Sequence, residues 1–299
     1  MKLSEMNEIM AALMTPFDAD GKVNLNGVRD LIAYQLSLGV RSFYVCGTSG
    51  EGFSMSAAER KQVVEVACDQ TKTRGGIIVN ISHMEFDVAM DLARHAASAG
   101  AAAVSTLPPL FLMVSAREIE MYYRRVLDGV SLPLTIYNIP MLSNRQLDEA
   151  LVTKLLDHPN FAGIKHSSED SFLLNRFKQI GKGKLMVWSG RDAYYLGALA
   201  MGADGAIGNS FNLMGDLFVK ITEAYRKSDI GCALMIQQKA NEIHRRLQVF
   251  GGTQSVKRCL QLLGINAGHC RMPYQQLPES AEPLMREIVD LLKKTRQEL

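Results

Sequence analysis

Eight short apolar runs, each followed by an amphipathic stretch, fill most of this chain and limit what it can fold into. The runs span residues 10–17, 42–46, 77–81, 102–107, 132–137, 161–165, 185–188 and 205–207. Most are continuous rather than alternating, as expected of parallel strands covered on both faces. The stretches between them carry helical periodicity: Val28, Leu31, Ile32 and Leu36 fall on one helix face. Ser56 with Glu59, and Ser115 with Glu118, have the spacing of a capping box that starts a helix. Gly39 and Gly100 stand where helices should stop. About eight β-then-α units in a row predict an α/β fold, a (β/α)8 TIM barrel. An open doubly wound sheet shares the alternation, but no GxGxxG follows its first strand here.

From about Asp229 the strand-like runs cease, and Leu284, Ile288, Leu291 and Leu292 repeat at helical spacing near the end. The expected organisation is a catalytic barrel over residues 1–228 and a C-terminal helical extension over 229–299. No Pro/Ser-rich linker precedes the extension, so it should pack on the barrel. The 299 residues carry a net charge of +2, without a basic stripe, which gives no electrostatic case for nucleic acid. No apolar stretch approaches the roughly 20 residues of a membrane span. Residues 1–5 lack the apolar core of a signal peptide, so a cytoplasmic location is expected. Five cysteines without a CxxC suggest neither a disulfide framework nor a zinc site, and Cys46 reads as a small buried hydrophobe.

The barrel frame gives the polar residues at strand ends a meaning, because catalytic groups of such folds lie at the C-terminal ends of strands. Lys165 ends the sixth run and Tyr137 the fifth. A strand-end lysine is often a snorkelling surface group, and a lone tyrosine often a core residue with a satisfied hydroxyl. On one rim together, they offer an amine whose pKa burial would lower and a phenol able to relay protons. A neutral amine attacks a ketone to form a Schiff base, an electron sink for the adjacent carbon–carbon bond. Gly47-Thr48-Ser49-Gly50 after the second run presents hydroxyls and backbone N–H groups suited to a carboxylate, or is a plain turn. Glu51 is expected to be structural, favoured by a helix start, and Gly202–Gly208 a tight packing junction. His166 should point away from Lys165 by strand alternation. An amine, a phenol and a carboxylate cradle suit a 2-oxo acid, with no cofactor and no metal required.

Residues 10–17, the GTSGEG turn, Tyr137-Asn138-Ile139-Pro140, Gly163-Ile164-Lys165 and Gly202-Ala203-Asp204-Gly205 resemble the N-acetylneuraminate lyase and dihydrodipicolinate synthase superfamily. The resemblance implies class I aldolase chemistry on pyruvate in a barrel that assembles as a homotetramer. It implies Lys165 as the Schiff-base lysine, Tyr137 as the proton-transfer residue, and Thr48 and Ser49 on the pyruvate carboxylate. Ser167, Gly190, Asp192 and Asn209 would line the site for the rest of a sugar. The synthases carry an arginine two residues after the YNxP proline to hold a second carboxylate. Leu142 stands there, which disfavours that branch. Ala193 replaces an acidic residue of the lyases, and a hydroxylated aromatic is missing around Phe111. The expected activity is cleavage of an N-acetylneuraminate-like sugar acid to pyruvate and an aldehyde, N-acetylmannosamine in the first case. A 2-keto-3-deoxy sugar acid is the close alternative; the synthase reaction and a non-catalytic barrel that binds pyruvate or a sugar acid are the others.

Overall fold

A computed structural model describes Leu3, Met6 and residues 8–299; the rest of the segment read above for a signal peptide lies outside the described residues. The chain alternates in the predicted order: β1 (Ile9–Ala12), α1 (Leu25–Ser37), β2 (Ser42–Val45), α2 (Ala57–Thr71), β3 (Gly76–Asn80), α3 (Phe86–Ala99), β4 (Ala103–Thr106) and α4 (Ala116–Gly129). It continues with β5 (Leu134–Asn138), α5 (Pro140–Ser143), α6 (Glu149–Leu155), β6 (Phe161–His166), α7 (Ser171–Gly181), β7 (Met186–Ser189), α8 (Tyr195–Ala200), β8 (Gly205–Gly208) and α9 (Phe211–Arg226). Each strand pairs in parallel with the next, and β8 closes on β1. The chain is therefore a (β/α)8 barrel.

The helix starts follow the sequence signals. The hydroxyls of Ser56 and Ser115 accept from the N–H groups of Glu59 and Glu118, whose carboxylates accept from the serine N–H in return. Gly100 ends α3 in the left-handed conformation, at φ 90°. The first strand is shorter than its apolar run. Beyond Ala12 the chain leaves the sheet: Met14 N–H donates to Asn212 Oδ1, and the Thr15 hydroxyl donates to the Gly50 carbonyl.

Side-chain parity divides the buried residues into two sets. Ile9, Ala11, Phe43, Val45, Ile164 and Val187 face the helices in the larger core. Met10, Ala12, Tyr44, Ile78, Ala103, Tyr137, Trp188 and Ile207 fill the barrel interior. Past α9, Asp229 caps α10 (Ile230–Leu247), its carboxylate accepting from Cys232 N–H. Helices α11 (Gly252–Leu262) and α12 (Glu282–Glu298) follow, with no further strand. Helix α10 packs on α9, and α12 packs on α10 and α11. Arg296 of α12 pairs with Asp216 of α9 through two bonds of 2.8 and 2.9 Å. No helix among the described residues is long and apolar enough to cross a membrane.

Candidate active site

Strand register puts the two key side chains side by side. Tyr137 pairs with Lys165, and Lys165 with Trp188, so all three lie on the interior face at neighbouring positions. Gly163, two residues before Lys165 on that face, makes room for the tryptophan: a Cβ there would meet the Trp188 ring at 2.8 Å and the Met186 carbonyl at 2.6 Å. The tryptophan therefore floors the barrel beneath the amine.

Lys165 is only 4% exposed. Its Nζ lies 4.0 Å from the ring centre of Tyr44 and 4.1 Å from that of Tyr137, and the two rings meet edge to face with centres 5.8 Å apart. Desolvation lowers the pKa of the amine, opposed by interactions with Tyr137 and by the charge of Asp192. Burial outweighs these opposing interactions, and the net shift is downward. Tyr44 is held in turn: its hydroxyl donates to Ser105 Oγ and accepts from Asn80 Nδ2, both at 3.0 Å. Burial pushes its pKa well above the ordinary tyrosine value, so it stays a neutral phenol.

Above the amine opens a cavity of about 550 Å³. Tyr137, Lys165, Ser49, Ser167, Gly190, Asp192 and Asn209 all line it. Of the residues expected at the site, only Thr48 is absent from that lining; it is half-buried in the turn after β2, and its carbonyl accepts from Glu51 N–H. Asn209 Nδ2 donates to Ser49 Oγ at 3.0 Å, tying the loop after β8 to that turn. Ser167 Oγ is buried and bonded to no protein group among the described residues. A Cβ at Gly190 would lie 1.7 Å from that oxygen, so glycine keeps the serine in place. One oxygen of buried Asp192 accepts from the N–H (2.7 Å) and the hydroxyl (2.6 Å) of Ser210.

The residues expected to be structural behave as such. His166 faces the helix layer, one ring nitrogen 3.0 Å from Asn138 Nδ2 and the other 2.9 Å from the Asp170 carbonyl, with its ring against Phe177. Glu51 is structural for a reason other than a helix start: its side chain caps nothing and instead forms a buried 2.7 Å ion pair with Lys257 of α11. Asp204 accepts from Lys178 Nζ and Val187 N–H, and a Cβ at Gly205 would strike the Glu8 carbonyl at 2.0 Å, so Gly202–Gly208 is a packing junction. Cys46 is buried.

Sequence reasoning missed Tyr44, although its interior parity in β2, beside outward Phe43 and Val45, was a usable signal. It also missed His244 of α10 and Gln248 just past its end, which line the cavity from the extension. Nothing in a lone helical histidine points to a barrel mouth.

The chain matches the model of the dihydrodipicolinate synthetase family over residues 5–292. It is 32% identical to an N-acetylneuraminate lyase of Clostridium perfringens over 284 residues, 95% of this chain and 98% of the relative. A second N-acetylneuraminate lyase, from Rhizobium meliloti, is 33% identical over 285 residues, 95% of each chain. Among solved structures, a Clostridium difficile protein in complex with mannosamine superposes with a TM-score of 0.92 at 29% identity, covering 96% of this chain and 99% of that one. A closed parallel barrel, a buried strand-end lysine between two phenols and matches along nearly the whole length agree: the chain belongs to the dihydrodipicolinate synthetase family.

Proposed function

We propose that this protein is a pyruvate-dependent, Schiff-base lyase that cleaves N-acetylneuraminate or a similar sugar acid into pyruvate and an aldehyde. The observation that carries this reading is the Lys165 amine, shielded from water, with its pKa lowered, at the floor of a polar cavity. The free pair of the neutral amine attacks the ketone carbon of the substrate. Loss of the carbonyl oxygen as water leaves an iminium, which draws electrons from the neighbouring carbon–carbon bond. Tyr137 gives its phenol proton to that departing water, and the phenolate left behind takes the proton of the substrate hydroxyl as the bond breaks, giving the aldehyde and an enamine. The enamine takes up a proton at carbon, and water hydrolyses the imine to release pyruvate and restore the amine.

Ser49 belongs to the turn that would hold the pyruvate carboxylate, with Thr48 as its companion. Ser167, Gly190, Asp192 and Asn209 would border the sugar portion. A 2-keto-3-deoxy sugar acid is the second reading, favoured by Ala193, which lines the cavity without a side-chain acceptor for substrate hydroxyls. Leu142 lies 57% exposed on α5 and offers no charge for a second carboxylate, against the synthase reaction. A homotetramer in the cytoplasm fits this reading; Phe111 and Met113, exposed on the loop after β4, are apolar surface suited to subunit contact.

Pyruvate release should be measured with N-acetylneuraminate and with a set of 2-keto-3-deoxy sugar acids. Turnover of the first, abolished by Lys165→Ala without loss of the folded spectrum, is the expected result. Activity only with the deoxy-sugar acids would overturn the substrate, and full activity in Lys165→Ala would overturn the imine.

A further inference from the structure

One face of α10 carries a polar stripe, Gln237, Asn241 and His244, that runs on to Gln248 at the end of the helix, at spacings of four, three and four residues. The first two members are engaged with the loop after β7 and the start of α8. Gln237 Oε1 accepts from Leu196 N–H at 3.0 Å, and its Nε2 donates to the Asp192 carbonyl at 3.2 Å and to Asn241 Oδ1 at 2.9 Å. Asn241 Nδ2 donates to the Ala193 carbonyl at 3.0 Å. The next two members, His244 and Gln248, leave the loop and line the cavity above Lys165. His244 Nδ1 is buried without a hydrogen-bond partner among the described residues, and none of them bonds the other ring nitrogen.

A buried imidazole nitrogen without a partner costs free energy that folding does not recover. The stripe gives that cost a purpose, because the same helix face that fixes the β7 loop continues directly into the substrate space. Arg191 and Glu169, paired with each other, form another part of the cavity wall. The wall here is polar, and the bond-making atoms lie at its floor on β5 and β6.

We propose that His244 is a specificity-determining residue, whose imidazole hydrogen-bonds a hydroxyl on the part of the substrate beyond the cleaved bond, with Gln248 beside it. The helical extension is then part of the active site, and the substrate class it selects is a polyhydroxylated chain rather than a short oxo acid. This rests on the imine lyase reading above.

The test pairs two measurements on wild type, His244→Leu and His244→Asn. The first is the rate of borohydride trapping with pyruvate alone, which reports the imine floor. The second is kcat/KM for pyruvate release from N-acetylneuraminate and from polyhydroxylated 2-keto-3-deoxy sugar acids, compared with 4-hydroxy-2-oxobutanoate, which yields pyruvate and formaldehyde and has no distal hydroxyls. His244→Leu should lower kcat/KM for the long substrate about tenfold, the loss of one hydrogen bond. Trapping and the short substrate should stay within about twofold, and His244→Asn should recover part of the loss. A parallel loss of trapping, or no loss with the long substrate, would overturn the assignment. A wild-type protein that traps pyruvate but cleaves no polyhydroxylated acid overturns it too, leaving the imine intact. Failure of wild type to trap pyruvate would instead strike the imine reading itself.

Discussion

Lys165 is where the chemistry and the stability of this chain pull in opposite directions. Its folded pKa lies below the ordinary lysine value of 10.5, through desolvation. The unfolded chain therefore binds the extra proton first as pH falls below 10.5, and stability declines through that window down to the lowered folded pKa. Two outcomes follow. The pyruvate-trapping rate should rise with pH along a limb centred below 10.5, since only the neutral amine attacks; a limb centred at or above that value would contradict a dry amine. At neutral pH, Lys165→Met should raise Tm, by about 1.5 °C for each 1 kcal/mol relieved, while ending turnover. Gly190 offers a second test at this scale. Gly190→Ala puts a Cβ against Ser167 Oγ, so calorimetry should show a loss of roughly 1–3 kcal/mol together with a rise in KM. Unchanged values would mean that the loop after β7 yields freely.

Among the elements, strands were the most legible part of the sequence. A parallel strand covered on both faces must be a continuous apolar run, and period-two parity then fixes which ends face inward. That logic placed Tyr137 and Lys165 together and turned His166 away, as the register and its bonds to Asn138 and Asp170 bear out. It also held the Tyr44 clamp, unread because an aromatic in a strand passes for core. Turns were less legible, because their partners come from distant segments. Glu51 looks like a residue at a helix start, but its partner Lys257 lies 206 residues away. The same ion pair carries an expectation for how elements are joined. Lys257 Nζ also donates to the carbonyls of Thr15 and His269, each at 2.7 Å, while Arg271 N–H donates to the other Glu51 oxygen. Lys257→Met leaves a buried carboxylate unpaired and should cost about 3–5 kcal/mol in denaturant unfolding. Combining it with Glu51→Gln should recover part of that loss; a single variant near wild-type stability would refute the latch.

For the whole molecule, the count and order of the βα units were readable from end to end, whereas the route of the tail was not. Helical periodicity announces α10 to α12 but carries no information on which barrel face they cover, because that depends on pairs such as Arg296 with Asp216. The cavity mouth is consequently built partly from residues whose role becomes visible only in three dimensions, His244 and Gln248 among them. What the barrel, its two tyrosines and its extension have in common is a single amine kept from water at their centre. Mass spectrometry of the intact protein after borohydride reduction with pyruvate tests that arrangement most directly. One reduced pyruvate per chain, mapped to the peptide containing Lys165 and absent from Lys165→Ala, is the predicted result. An unchanged mass in the wild-type protein, or a label on another lysine, would contradict it.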